Sequence, residues 1–565
     1  MEEIQTSNGR PAELAISADD MRLKKSLGGV HLAAMTFSGM LGSGWLFAAY
    51  YTAAIAGPAA IISWCIGGLF TAITALVFIE LAIGHPISGG SLRWPQLAAG
   101  PFVGALASWV MFGLIVIGGS SESAGIVQYA SRWWPALFNA QSGELTWTGI
   151  AMCCLAVALF TSLNFLMIHH VSFINVILSA GKWVIPLMTV GLLLAAGFHG
   201  SNFGSHGGGF APYGGAAILS GVTTGGIVYA FGGINIAQTV AGEVRNPRRA
   251  QVRGTTFGFM SAFAVYILLQ LAFIGAVPTG LLAKAGWHGL SFSSPFAQLA
   301  LLVNLGWLST VLVVDAIVSP AATSLIGTTS LGRSVWGMAQ NRTLPRYFRA
   351  VAQNGVPRRG LVFTGACSVV SLLILRSWHN IVGVTGGFFA FGYAGASLAL
   401  GIFLYVYKDR WKTWFPGIKM ISYANFVLAG LITYWDGWQN NRYAFGFLGA
   451  FIVVWYLLHR ADPGHHTMES VRLGVWLYLW LAVTLGLSYV GAAAYGGQGW
   501  IGQPWDSIVI GALALVAYPV GVRCGARWVK THGLRGTPLP EAEESAVHGS
   551  AAGTRAEPTS PEPVS

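Results

Sequence analysis

The sequence predicts an all-α polytopic membrane protein of about 14 spans, two of them broken in mid-membrane. Three observations carry that reading. Hydrophobic residues make up 54% of the 565-residue chain and charged residues only 9%, against about 25% charged in a soluble protein. Apolar runs long enough to cross a bilayer recur along the chain, with basic residues gathered between them. Two glycine-rich interruptions, Gly42-Ser43-Gly44 and Phe231-Gly232-Gly233-Ile234-Asn235, fall inside such runs about 190 residues apart.

Each element follows from these. A span needs about 20 mostly apolar residues. Candidates begin near Leu27, Pro58, Phe102, Thr148, Phe173, Ala217, Thr255, Gly306, Gly360, Ile381, Ile421, Ala444, Leu473 and Ser507. With a cytoplasmic N-terminus, 18 Lys and Arg residues between Arg22 and Lys419 fall inside, and only Arg132, Lys284, Arg376 and Arg442 fall outside. That bias predicts both termini in the cytoplasm of a plasma (inner) membrane protein. The net charge of +11 is therefore a topological signal that suits contact with anionic lipid. It is not gathered into one patch with aromatics, so nucleic acid is not an expected partner. The first 22 residues are polar and do not read as a signal peptide. From about Arg535 the chain is rich in Pro, Glu, Ala, Ser and Thr and reads as a tail without a core. The five cysteines show no metal or disulfide spacing. No nucleophile, base and orienter cluster is visible, so an enzyme is not expected. The oligomeric state is not legible.

The two breaks are the candidate site. Glycine pairs free backbone N–H and C=O groups that lipid cannot satisfy, and paired breaks in two halves of a membrane protein point to a solute site. A half-helix starting at about Gly44 presents its N–H groups, a positive dipole end that suits a carboxylate. Carbonyls freed near Ala230 to Gly233 suit an ammonium. The bland alternative is small-residue packing between helices.

At these breaks the chain resembles the amino acid/polyamine/organocation (APC) permease superfamily. The resemblance rests on Gly42-Ser43-Gly44-Trp45-Leu46-Phe47, on Glu80-Leu81 followed by Pro86-Ile87-Ser88-Gly89-Gly90, and on Phe231-Gly232-Gly233 followed by Ala241-Gly242-Glu243-Val244-Arg245-Asn246-Pro247-Arg248-Arg249. It continues in Leu331-Gly332-Arg333, Met338-Ala339-Gln340-Asn341 and Leu344-Pro345. Trp45, the Arg93-Trp94-Pro95 step and Gly306-Trp307 leading into Asp315-Ala316-Ile317-Val318-Ser319-Pro320 are most similar to the bacterial aspartate–proton symporter group. The resemblance implies a LeuT-like fold of two inverted five-helix repeats, with helices 1 and 6 broken and four helices added. The implied divisions are an N-terminal segment 1–26, a first repeat 27–200, a second repeat 201–410, accessory helices 411–530 and a cytoplasmic tail 531–565. It implies that Gly42, Ser43, Gly44, Ala230, Phe231, Gly232 and Gly233 hold the substrate, with Phe231 as an aromatic lid. Many relatives carry an acid where this chain has Asn235, which either meets the substrate side chain or an adjacent helix.

Lys182 is the one Lys or Arg inside a predicted span, about 15 Å deep. An ionisable group at that depth is a functional candidate by default. By resemblance it matches a span-five lysine that stands where sodium-coupled relatives hold a cation. Ser319 and Thr323, four residues apart on one helix face, reach a similar depth and are positioned to receive its ammonium. The alternative is a static pair with Asp315. Asp315 and Glu122, in the outer halves of their spans, relay protons or hold helices. Glu80 near an inner end, and Glu243 with Arg248, read as gate or structural residues.

The expectation is a secondary transporter that imports an amino acid, such as aspartate or glutamate, by proton symport and alternating access. The proton is the coupling ion and no cofactor is expected. An exchanger without net proton movement and a non-transporting amino-acid sensor are the alternatives.

Overall fold

A computed structural model describes residues 27–533, apart from 88–89, 167, 205–206, 341 and 353–355. The predicted N-terminal segment 1–26, nearly all of the predicted tail 531–565, and Ser88, Gly89 and Asn341 of the motifs lie outside the described residues. Among the described residues the regular structure is helical, apart from a two-stranded hairpin of β1 (Phe138–Asn139) and β2 (Glu144–Leu145) and one isolated bridge, Leu27 to Val244.

Apolar composition makes the helices; glycine and proline punctuate them. α1 (Gly29–Met40) stops at Leu41, and α2 (Gly44–Ala56) starts after Gly42 and Ser43. A 3₁₀ turn carrying Pro58 leads into α3 (Ala60–Gly84). α4 (Gly90–Ala130) is kinked at Gly100, where φ is +86° and Pro101 follows; that backbone suits glycine. α5 (Trp147–Leu166) and α6 (Ile168–Gly197) come next. They are followed by the fragments α7 (Gly214–Thr223), α8 (Ile227–Ala230) and α9 (Ile236–Thr239). α10 (Pro247–Ala276) follows, then the short α11 (Thr279–Ala285) and α12 (Pro295–Leu302), α13 (Gly306–Gln340), α14 (Arg358–Leu375) and α15 (Trp378–Val406). The remaining helices are α16 (Ile418–Trp435), α17 (Trp438–Ala461), α18 (Met468–Val490) and α19 (Trp505–His532).

Among the described residues, 10 helices are long and apolar enough to cross a membrane, or 11 if the bent pair 214–230 and 232–239 counts as one. That is fewer than the 14 runs expected. The difference arises partly where a span is interrupted. α1 and α2 are 12 and 13 residues long, each too short to cross alone, and residues 44–84 run on as one apolar stretch.

α15 lies at the centre, buried along almost its whole length and packed against α4 and α16. Gly383, Gly386, Gly387 and Gly392 let neighbours approach it closely. α1 packs on α10, and α13 on α4 and α6. At one end of the molecule Glu80 is buried and accepts from Trp411 Nε1 (2.8 Å) and from the Trp414 amide (3.1 and 3.3 Å). This tethers the 407–417 connection to α3. Arg342 pairs with Asp462 at 2.7 Å in the turn after α17. Burial raises the Asp462 carboxyl, but the Arg342 hydrogen bond and charge outweigh it and hold the group below the usual carboxylate range.

The two breaks are in contact. A Cβ on Gly233 would lie 2.2 Å from the Gly39 carbonyl carbon, and one on Gly44 would lie 3.1 Å from Ala230 Cα. Backbone is the obstacle at Gly233 and cannot swing aside. Gly233→Ala is therefore expected to destabilise the protein by about 1–3 kcal/mol, the usual range for overpacking. Thermal denaturation in detergent reads this as a lowered Tm; an unchanged Tm contradicts the close approach.

Candidate functional site

A break in a buried helix leaves backbone groups that need partners. The first break finds one in a side chain from another helix. The Ser43 amide donates to both carboxylate oxygens of Glu122, at 3.2 and 3.0 Å. Gly42 makes the approach possible, since a Cβ there would sit 2.5 Å from Glu122 Oε1. Tyr229 Oη donates to the same Oε1 at 2.9 Å and lies 2.6 Å from Ser121 Oγ. Trp378 Nε1 donates to Ser43 Oγ at 2.9 Å. One network thus joins α2, α4, α8 and α15.

Glu122 was expected in the outer half of its span, as a relay or a brace. It does lie eight residues before the end of α4, but its carboxylate occupies the amino end of α2. The N–H group expected to be free for a substrate carboxylate is already taken by a carboxylate of the chain itself. The site is closed: Ser43 is 0% exposed, Ala230 1% and Glu122 6%.

The second break is also capped, contrary to the expectation of free carbonyls. Tyr266 Oη lies 2.7 Å from the Met40 carbonyl and 3.3 Å from that of Ala230, and donates across both breaks. Tyr393 Oη donates to the Gly232 carbonyl at 3.4 Å. Gly226, at φ +89°, turns the chain between α7 and α8. Phe231 was expected as an aromatic lid. Its ring is buried among Trp64, Phe259, Phe263 and Tyr266, with centroids 5.4–6.2 Å away. Burying a large apolar ring beside two gaps holds α8 against α3 and α10. Asn235 is half-buried just before α9 and does not cap it.

Lys182 on α6 is 2% exposed. Its Nζ donates to the Ser38 carbonyl (3.2 Å) and to Thr323 Oγ1 (2.7 Å). The amine therefore ties the last turn of α1, next to the break, to α13. Of the two hydroxyls expected there, Thr323 makes the contact; Ser319 contributes its carbonyl to Thr323 at 3.1 Å, and its own Oγ has no partner. Among the described residues no hydrogen bond or ion pair joins Lys182 to Asp315, and Asp315 Oδ2 is buried without a hydrogen-bond partner. Beside Lys182, Trp183 stacks on Phe37 of α1 at 3.5 Å. Glu243 lies away from the breaks, where Leu27 and Val244 pair in parallel; Leu27 N donates to the Glu243 carbonyl and Arg245 N to the Leu27 carbonyl. Arg248 is exposed on the first turn of α10.

Comparison with known proteins fits this geometry. The amino acid permease family model matches residues 27–458, which include both breaks, Lys182 and Glu122. The chain belongs to the amino acid permease family. The permease is 32% identical to a glutamate/serine transporter of Bacillus subtilis over 511 residues, covering 89% of this chain and 94% of that one. It is 30% identical to an aspartate–proton symporter of the same organism, covering 90% and 97% respectively. A solved manganese transporter from Eremococcus coleocola aligns at 12% identity and a TM-score of 0.49, covering 84% of this chain and 100% of that one. The permease is thus an integral membrane transporter and not an enzyme.

Sequence reasoning missed Tyr229, Tyr266, Tyr393 and Trp378. Tyr229 stands two residues before Phe231 and was within reach; the others are brought in by helix packing alone. Glu122→Ala leaves the buried Ser43 amide without its acceptor. The expected cost is about 1–3 kcal/mol, read as a lowered Tm of the substrate-free permease. An equal Tm would mean that the amide finds another partner.

Proposed function

We propose that the permease imports an amino acid together with a proton, alternating access around the two breaks. On this reading the fold is two inverted repeats of five helices, spanning 27–200 and 201–410. Four accessory helices over 411–530 bring the count to 14, with both termini in the cytoplasm. Substrate is bound by Gly42, Ser43, Gly44 and the 230–233 backbone, and the membrane lipid and the amino acid are its only assigned partners.

Two charges must be desolvated to take an amino acid into this site, and each needs a partner. The substrate carboxylate takes the Ser43 and Gly44 amides, displacing Glu122. Two carboxylates do not share one amide at this range without strong repulsion. Glu122, once released, faces the incoming ammonium, to which it is complementary. Glu122 thus stands in for the substrate carboxylate at the first break. The names of the two Bacillus relatives favour an acidic amino acid such as aspartate or glutamate, and one of them favours the proton as coupling ion.

Lys182 carries the coupling proton. The observation supporting this is its position: a buried amine that bridges the broken span and α13 by two hydrogen bonds. As an ammonium it has donors for both partners. After losing the proton it keeps two donors but no charge, so both hydrogen bonds weaken and the α1–α13 tie loosens. Protonation and closure are linked through one group.

Lys182→Ala is expected to abolish uptake driven by a pH gradient in proteoliposomes, while counterflow of labelled amino acid continues. Concentrative uptake at the normal rate by that variant would end the coupling reading. Gly44→Val is expected to weaken substrate binding at least tenfold by crowding the carboxylate against Ala230. Unchanged affinity would move the site elsewhere.

A further inference from the structure

An open pocket of about 600 Å³ lies where α15 ends, α16 begins and α19 ends. The transport site does not use it. Three lysines line it, each from a different element: Lys408 two residues past α15, Lys419 in the first turn of α16 and Lys530 in the last turn of α19. All three are exposed, and among the described residues no ion pair involves any of them. Among the described residues no Asp or Glu lines the pocket. Asp409 follows Lys408 in the chain without lining it, and Glu469 faces His532 instead, at 3.7 Å. Three ammonium groups that converge on one cavity repel one another. An anion between them removes that cost.

The pocket lies at the level of the lipid headgroups. α15 has 29 residues and α19 has 28, about 42–44 Å at 1.5 Å per residue, against a hydrocarbon core of about 30 Å. Their ends therefore emerge among the phosphates. The rest of the pocket wall is apolar, with Leu404, Val406, Ile418 and Trp411 in it. A soluble anion has no use for that surface; an amphiphile does. α19 continues the pattern. Val516, Val520, Arg523, Arg527 and Lys530 recur every three or four residues along one helix face, and all of them are exposed. That face is apolar towards the membrane centre and basic towards the pocket, which matches the chains and the phosphate of a phospholipid.

We propose that the pocket binds an anionic phospholipid of the surrounding bilayer. Its phosphate sits among Lys408, Lys419 and Lys530, and its acyl chains lie along the α19 face. Basic pockets between spanning helices are suited to such headgroups in general. The lipid acts as a staple. Lys408 and Lys419 stand at the two ends of the 407–417 connection, and Lys530 adds α19. Trp411, on the pocket wall, donates through Nε1 to Glu80 of α3 at 2.8 Å, and Gly84 of α3 has no room for a Cβ against the Trp411 ring. α3 packs in turn on α8 and α10. A bound headgroup thus holds the connection that keeps the end of α3 in place. Lipid binding here depends neither on the solute carried nor on the coupling proton.

The full-length permease, purified in neutral detergent and stripped of lipid, is titrated with phosphatidylglycerol, phosphatidylcholine or inorganic phosphate while its Tm is read. Phosphatidylglycerol is expected to raise the Tm, and the other two are not. The triple variant Lys408→Gln, Lys419→Gln, Lys530→Gln is expected to need about tenfold or more phosphatidylglycerol for half the rise. Lys284→Gln, exposed on α11 and outside the pocket, keeps the wild-type response. Lys530→Gln alone serves should the triple variant fail to fold: native mass spectrometry then shows less phosphatidylglycerol retained than by wild type. Equal titrations of wild type and triple variant, or equal retention by Lys530→Gln, overturn the proposal. So does an equal rise with phosphatidylcholine, which shows no selection for charge, or with inorganic phosphate, which makes the occupant a free anion.

Discussion

A helix opened inside a bilayer must find a partner for every backbone group it frees, and the contact between the Ser43 amide and Glu122 is how this permease meets that demand at its first break. Much of the surrounding structure follows from it. Gly42 has no side chain because Glu122 Oε1 occupies the space. Tyr229 and Trp378 are placed to hold the carboxylate and the Ser43 hydroxyl. Tyr266 spans both breaks from α10. The breaks are therefore not open backbone awaiting a ligand but a closed polar network, assembled from four helices, in which a ligand has to replace something.

The same logic separates what was legible in the chain from what was not. Gly42-Ser43-Gly44 and Phe231-Gly232-Gly233 stood out because glycine is conspicuous in an apolar run, and the structure breaks its helices at both places. Lys182 stood out because it was alone. Partners at long sequence separation left no such mark: Glu122 lies 79 residues from Ser43, and Tyr266 lies 226 from Met40. Depth along a helix was readable for Glu122, but the direction of its side chain was not. For Phe231 an aromatic beside a break suits a lid and a packing residue equally, and the structure sets its ring among Trp64, Phe259 and Phe263. Ser319 and Thr323 share a face, as their spacing requires, yet one rotamer serves the lysine and the other does not.

Asp436, buried in the turn between α16 and α17, shows a further limit. Its neighbourhood, Tyr434-Trp435-Asp436-Gly437-Trp438, reads as a polar turn at the mouth of a helical hairpin. Its burial depends on the glycine surface of α15 and on the 491–500 connection that covers Gly437, where Tyr495 makes the closest approach. Helices α16 and α17 are thus more than a buttress. They carry an ionisable group to the flank of the broken span, where Thr223 hydrogen-bonds it.

The measurement that tests the central claim most directly is an experimental structure of the permease with its amino acid bound, at a resolution that shows carboxylate positions. The substrate carboxylate should lie on the Ser43 amide, with Glu122 moved off it and turned to the substrate ammonium. A bound substrate with Glu122 still on that amide would contradict the account.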